Sequence, residues 1–324
     1  MGGVCAIAGL ESTLGAHLAS NLRTVGNWET KPYSRLDPLL GVSALVVLNI
    51  ADYDAVGHRQ RPVVEDLRNA LDEAAIDGVE CVVLLSSALV YGAWPNNPVP
   101  LTEESALRPD QRLDYARDLA AAEQIVDEWR RSGTQRRAVI LRAVPTMSAQ
   151  HTGALVRALA AGLGTRSAED DAPAQFLHED DLVSAIRLVM ESGADGVYNV
   201  APDGAIPSDT LRALSGAAPR IKLPSVLADA VSELRWNFQR GPIPPGLRPY
   251  VHSPWIVSNG KLRSIGWEPT VTNEQAFVEG TESKWWTMLT PKRKQEISLG
   301  LMVVAGVAAF AGLVFGIRRF TRGQ

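Results

Sequence analysis

The amino-acid sequence predicts an α/β protein in which a parallel sheet is covered by helices on both faces. Short apolar runs, typical of buried strands, alternate with longer segments whose apolar residues recur at helical spacing. The first apolar run, residues 4–8, leads directly into a glycine-containing turn and then into a helical segment. The chain has 324 residues, which is enough to bury one large core and to add a smaller lobe.

The alternation of strands and helices continues through the first half of the chain. The predicted strands are residues 4–8, 45–50, 79–86 and 138–142, and the predicted helices are residues 16–22, 62–75 and 115–131. Only residues 23–44 separate the first helix from the second strand, and Gly, Pro, Asn and Ser are scattered through them. We therefore expect this connection to be short and irregular.

Composition excludes several classes of function. The net charge of −4 and the pI of about 5.8 argue against general attraction to nucleic acid. The only two cysteines, Cys5 and Cys81, lie in strand-like runs, which favours a reducing cytoplasm over a disulfide framework. Neither cysteine has the spaced partners of a zinc site, and the first residues lack the pattern of a signal peptide.

The end of the chain predicts a membrane anchor. Residues 297–317 contain no charged residue, and a helix of that length would cross a bilayer core of ~30 Å. Basic residues flank the segment, at 292–294 and at 318–319. We expect a single C-terminal transmembrane helix with the globular part on the cytoplasmic face. Gly312 and Gly316 match a small-residue packing motif, which would suit a homodimer or a membrane protein complex.

Two segments resemble the active-site frame of the extended short-chain dehydrogenase/reductase family, in its NAD-dependent epimerase/dehydratase branch. They are Ser-Ser-Ala-Leu-Val-Tyr-Gly at residues 86–92 and Asp-Tyr-Ala-Arg-Asp-Leu at residues 114–119. The resemblance implies a Rossmann-type doubly wound sheet with a small C-terminal lobe. It also implies that Ser87 hydrogen-bonds the substrate oxygen and that Tyr115 is the proton donor or acceptor. The family has a lysine four residues after the tyrosine, where this chain has Leu119.

Later segments follow the same family pattern. Residues 176–182, 196–200 and 258–269 resemble segments of its substrate lobe, so the resemblance extends over about residues 3–280. We accordingly expect a nucleotide-binding domain at residues 1–150, shortened after its first helix, and a substrate-type lobe at residues 151–290. Residues 291–324 would hold the basic flank, the transmembrane helix and a basic tail.

The loss of the lysine has a direct chemical consequence. A tyrosine with a pKa near 10 is a poor base at neutral pH unless a nearby cation favours its phenolate. Residues four apart share a helix face, so the lysine position is the natural source of that cation. Leu119 supplies neither charge nor hydrogen bonds. The loss of the lysine therefore favours a degenerate site over an active one.

The glycine turn also departs from the family pattern Gly-x-x-Gly-x-x-Gly, in which a helix N-terminus faces a pyrophosphate. Gly9 and Gly15 match the outer glycines, and Ser12 replaces the middle one. The resemblance implies NAD or NADP as the cofactor, bound by these three residues. The alternative interpretation is a strand-to-helix turn that no longer binds a dinucleotide. Glu29 and Asp37 are candidates for the residue that reads the adenosine ribose.

Two further groups of polar residues have structural interpretations. His178, Asp180 and Asp181 fit a helix start with acidic residues in its first turn better than a metal site, so no metal is predicted. Arg142 ends a strand near the expected cleft, where it would either meet an anion or form a structural pair.

Three functions remain open at this point, and the sequence leaves open whether the protein is an enzyme. The leading hypothesis is a membrane-anchored, catalytically degenerate protein of this family that binds a ligand or joins a membrane complex. The alternative is an active NAD(P)-dependent epimerase, dehydratase or reductase acting on a nucleotide-sugar or lipid-linked substrate. The third is an assembly subunit with no small ligand.

Overall fold

A computed structural model describes residues 2–35, 37–51, 63–163, 172–215 and 245–281. Its main sheet has six parallel strands in the order β2-β1-β3-β4-β5-β8, and a second sheet pairs β6 with β7. The strands are β1 (Val4–Ala8), β2 (Glu29–Pro32), β3 (Val42–Val47), β4 (Cys81–Ser87), β5 (Arg137–Ala143), β6 (Thr146–Met147), β7 (Leu177–His178) and β8 (Gly196–Val200).

Helices connect the strands. The α-helices are α1 (Thr13–Thr24), α2 (Val63–Ile76), α3 (Asp114–Arg131), α4 (Ala154–Gly162), α5 (Glu179–Glu191), α6 (Ser208–Leu214), α7 (Pro249–His252), α8 (Gly260–Arg263) and α9 (Asn273–Gly280). Short 3-10 helices occupy Ala88–Tyr91 and Pro245–Leu247. Strands β3, β4 and β5 form the centre of the sheet and are buried along nearly their whole length, as expected where helices cover both faces.

The strand order creates a crevice. From β1 the chain crosses to β2 on one side and then returns to β3 on the other side. The connections that leave β1 and β3 therefore diverge at the carboxyl edge of the sheet, which is where ligands bind in open α/β folds. This edge carries the ends of β1, β3, β4 and β5.

The connection between α1 and β3 is short. Its described residues contain the four-residue edge strand β2 and no helix. Side-chain contacts hold this connection to α2 and to the residue that follows it. The Tyr33 hydroxyl donates to Glu73 in α2 at 2.7 Å, and Asp77 accepts from the Leu39 amide at 2.7 Å. Glu29 begins β2 and Asp37 lies in the following loop, where both are exposed.

Buried polar groups attach the later elements to the sheet. Asp181 in α5 accepts hydrogen bonds from Thr270 and Val271 in the segment before α9. Arg137 in β5 donates to the last carbonyls of α5, those of Val189 and Met190, and so supplies partners that the helix end lacks. The domain boundaries expected at residues 150 and 290 stay a prediction.

The expected transmembrane helix is the one part of the predicted fold class that is wrong. Among the described residues no helix is both long and apolar enough to cross a bilayer. The longest of them, α3, has 18 residues but carries charged side chains such as Arg117 and Asp127, which a bilayer core disfavours. Residues 297–317, where the sequence placed the anchor, lie outside the described residues. The predicted membrane attachment, membrane partners and location at the cytoplasmic membrane face depended on that helix and are wrong as well.

Candidate functional site

A cavity of about 150 Å³ lies at the carboxyl edge of the sheet. Most of its lining is aliphatic, from residues such as Leu85 and Val144. Polar residues from several elements also face it, among them Ser12 before α1, Ser87 at the end of β4, Tyr115 in the first turn of α3, and Glu179 at the start of α5. An apolar cleft with a few convergent polar groups is the usual form of a small-molecule site.

The glycine turn brings the start of α1 against the end of β1. Gly9 has φ of +94°, a backbone conformation that favours glycine. A Cβ on Gly15 would lie 2.1 Å from the Gly9 carbonyl oxygen, so this close approach requires glycine. Both outer glycines of the predicted motif therefore have a structural reason to be there.

Ser12, in place of the middle glycine, is the N-cap of α1. Its hydroxyl accepts from the Gly15 amide at 3.0 Å and donates to the Gly9 carbonyl at 2.7 Å. The serine thus satisfies one of the amides that a helix N-terminus would otherwise offer to an anion. Its side chain also lines the cavity at the point where a dinucleotide pyrophosphate lies in this class of fold.

The two residues predicted to be catalytic line the same cavity. Ser87 caps the 3-10 helix Ala88–Tyr91 by accepting from the Leu89 amide at 3.3 Å. The Tyr115 side chain is largely buried, and its hydroxyl donates to the Ala51 carbonyl at 2.8 Å. The described structure thus uses both hydroxyl groups in contacts with the backbone of the protein itself.

Leu119 lies one helical turn after Tyr115 and is completely buried in the core. It does not line the cavity. Of the described residues that do, none is lysine or arginine.

A buried ion-pair network lies behind the cavity. The Arg142 guanidinium contacts both carboxylate oxygens of Glu123, the nearest at 2.7 Å, and donates to the Tyr91 hydroxyl at 2.8 Å. Ser86 donates to Glu123 at 2.5 Å, and Tyr91 donates to the Asn199 side chain at 2.8 Å. Of the two interpretations of Arg142, the structure shows the structural pair.

The charges in this network are stabilised by their partners. Burial alone would lower the pKa of Arg142, but the Glu123 carboxylate more than compensates and raises it. Burial raises the pKa of the Tyr91 hydroxyl even though Arg142 opposes the shift. Both side chains therefore keep their usual protonation state at neutral pH, and the network holds the ends of β4, β5 and β8 together.

Sequence reasoning missed Glu179 as a cavity residue. Its carboxylate is 7 % exposed, accepts from His17 in α1 at 2.9 Å and accepts from Ser148 at 3.3 Å. The neighbouring His178 caps α5 through its ring, as the helix-start interpretation expects, and Asp181 is bound to the segment before α9. No local signal in the sequence pointed to it, because Glu179 follows β7, a two-residue strand that forms only through pairing with β6.

Comparisons with known proteins agree with this fold. Residues 61–201 match the family model described as the NAD dependent epimerase/dehydratase family. A curated relative, an uncharacterized protein of Mycobacterium tuberculosis, is 26% identical over 200 residues, which cover 61% of this chain and 53% of the relative. The chain thus spans about half the length of the curated relatives that it matches.

Solved structures show the same architecture. RMD from Pseudomonas aeruginosa complexed with NADPH is 18% identical with a TM-score of 0.60, covering 86% of this chain and 97% of that chain. The UDP-glucose 4-epimerase of Thermus thermophilus, in complex with NAD, is 17% identical with a TM-score of 0.61 and the same coverages. At these identities the likeness establishes the fold.

The fold and the cleft define a Rossmann-type protein with its site at the carboxyl edge of a parallel sheet. The resemblance to the NAD-dependent epimerase/dehydratase family, recognised from the motifs around Ser87 and Tyr115, is confirmed by the family model over residues 61–201. The structural neighbours confirm the fold.

Proposed function

We propose that this protein is a catalytically degenerate relative of the NAD(P)-dependent epimerases and dehydratases, and that its cleft serves to bind a ligand. NAD or NADP is the first ligand class to test. The observation that carries the proposal is the pairing of Tyr115 with the Ala51 carbonyl, in a cavity whose described lining contains no lysine or arginine.

The chemistry of the site supports a loss of turnover. The family reaction needs a tyrosine that exchanges a proton with the substrate, and a cation nearby that favours the phenolate. Here the Tyr115 hydroxyl donates a hydrogen bond to the Ala51 carbonyl, and Leu119 is packed in the core at the lysine position. A buried leucine can neither stabilise the phenolate nor reach a ribose.

Support for nucleotide binding is separate from support for turnover. Structural neighbours of this chain are complexed with NAD or NADPH, and Gly9 and Gly15 keep the geometry of the turn that faces the pyrophosphate. Ser12 reduces the number of free amides at that turn, so we expect weaker binding than a full glycine motif would give.

The alternative is an active epimerase, dehydratase or reductase acting on a nucleotide-sugar substrate. One observation favours it: Ser87 and Tyr115 line one cavity, so a ligand that displaced the contact with Ala51 would meet both hydroxyls.

The test is a binding titration combined with an activity assay on the full-length protein. NADH and NADPH are titrated by fluorescence, and turnover is measured with NAD and a panel of UDP- and dTDP-sugars. We expect saturable binding and no turnover above the level of Tyr115→Phe. Turnover that Tyr115→Phe abolishes, and that Tyr33→Phe outside the cavity leaves intact, would establish the active enzyme instead.

A further inference from the structure

Glu179 brings a negative charge into the cleft. Its side chain is buried and lines the cavity together with Ser12 and Leu14 at the start of α1. It is the only acidic residue among the described residues of that lining. Glu179 is also the first residue of α5, at the end of the helix where the dipole is positive.

Two side chains of the described residues contact the Glu179 carboxylate, and neither is a lysine or an arginine. Ser148 contributes a neutral hydroxyl, and His17 contributes an imidazole whose second nitrogen lies 3.4 Å from the exposed Asp180. His151 and Tyr115 are the other ionisable side chains among the described residues of the lining. No lysine or arginine is found among the described residues that line the cavity.

This arrangement opposes a bound phosphate. A pyrophosphate docked on the first turn of α1 would share the cavity with the Glu179 carboxylate, because His17 in α1 is hydrogen-bonded to that carboxylate. Like charges a few ångströms apart in a poorly solvated cleft repel strongly. The same carboxylate would strengthen the binding of a different kind of ligand. Such a ligand lacks phosphate and combines an apolar body with a hydrogen-bond donor or a positive charge.

We infer that Glu179 is the specificity-determining residue of this cleft: it disfavours ligands that place a phosphate on α1 and favours small, largely apolar ligands that present a donor or a cation. The inference rests on the proposed function of the cleft as a ligand site and adds the class of ligand. The cavity, at about 150 Å³, is smaller than the roughly 300 Å³ or more of a usual ligand pocket, which favours a small ligand.

The experiment compares a phosphate-bearing probe with a phosphate-free one on the full-length protein. NADH and nicotinamide riboside are titrated calorimetrically into the wild type, Glu179→Gln and Glu179→Val. We expect both substitutions to strengthen NADH binding by roughly tenfold or more, the order that removal of a nearby unit charge gives. The affinity for nicotinamide riboside should rise by less than about twofold or should fall, because that probe lacks the repelled group.

Asp180→Asn is the matched control, since it removes the same charge from the next residue, which is exposed and outside the cavity lining. It should leave both affinities near the wild-type values, and melting temperatures verify that all variants fold. Equal NADH affinity in the wild type, Glu179→Gln and Asp180→Asn overturns the inference but leaves the proposed ligand site standing. A failure of every variant to bind NADH overturns the inference together with the proposed dinucleotide binding.

Discussion

At the scale of single residues, Ser12 shows how one hydroxyl changes the use of a helix N-terminus. In a three-glycine turn the amides of the first helical turn are free to meet an anion, whereas here one of them is bound by the side chain of the cap itself. The same hydroxyl also donates to the Gly9 carbonyl, so the turn is stabilised from both sides. Ser12 thus stabilises the turn at the expense of its capacity to bind a phosphate.

We predict that Ser12→Ala lowers the free energy of unfolding by about 1 kcal/mol, the usual effect of removing an N-cap side chain, and that Ser12→Gly lowers it by only a few tenths. Urea unfolding followed by circular dichroism measures both values. Thr102→Ala, in a loop away from α1, is the comparison substitution, and a loss in Ser12→Gly as large as that in Ser12→Ala would contradict the capping role.

Leu119 lies in the apolar core, where a charged side chain would have no partner. Its side chain is fully buried, so a lysine there would place an ammonium group in the core without a partner. We predict that Leu119→Lys lowers the free energy of unfolding by about 3 kcal/mol or more and does not produce epimerase turnover. Gln124→Lys, at an exposed position of the same helix, should change stability by less than about 0.5 kcal/mol.

Thermal and urea unfolding of Leu119→Lys and Gln124→Lys measure this difference in stability. If Leu119→Lys were as stable as Gln124→Lys and gained turnover that depended on Tyr115, the site would be one substitution from activity and the degenerate interpretation would lose its main support.

At the scale of elements, the pair of Glu123 and Arg142 couples α3 to β5 behind the cleft. Arg142 pairs with Glu123 and also with Tyr91, which in turn reaches Asn199 on β8. Since these groups are buried, removing one partner leaves a charge without compensation in a poorly solvated place. The network therefore holds in register the strand ends from which Ser87 projects.

We predict that Arg142→Met and Glu123→Gln each lower the free energy of unfolding by about 3 to 5 kcal/mol, and that the double variant loses less than the sum. A double-mutant cycle in urea gives the coupling. Arg130→Met, in a partly exposed pair with Asp127, should cost about 1 kcal/mol or less. Additive losses at Glu123 and Arg142 would show that the two side chains act independently.

Elements differ in how far the sequence predicts them. Strand β1 lies where the sequence placed it, and β4, β5 and α3 lie within two residues of their predicted bounds, because long apolar or periodic runs specify these elements locally. Strand β2 was missed, since its residues are polar and partly exposed and only pairing with β1 makes it a strand. The two-residue strands β6 and β7 depend on each other in the same way.

At the scale of the whole molecule, the charged groups make stability depend on pH in the acid range. Hydrogen bonds from Arg112 hold the pKa of Asp110 below its usual value of 3.8 despite burial, and Arg263 and Asn259 do the same for Asp203. The unfolded chain therefore takes up these protons first. The stability that these carboxylates contribute is present above pH 3.8 and is lost as the pH falls through their lower folded values.

We predict that Asp110→Asn and Asp203→Asn each flatten the fall of the free energy of unfolding below pH 3.8. Asp118→Asn should act above pH 3.8 instead: burial and Asp114 raise the pKa of Asp118, so its protonation in the folded state favours folding as the pH falls toward 3.8, and the variant loses this gain. Urea unfolding at a series of acid pH values measures the slopes, and equal slopes in all three variants would refute this assignment.

The sequence by itself determined the parallel α/β fold and the family resemblance, because apolar periodicity and the motifs around Gly9, Ser87 and Tyr115 are local in the chain. It also predicted a membrane anchor that the described residues do not support. Only the tertiary structure decided that Tyr115 is bound to Ala51, that Arg142 pairs with Glu123 and that Glu179 enters the cleft. Each of these contacts joins residues distant in sequence, so its geometry exists only once the sheet and its helices have packed.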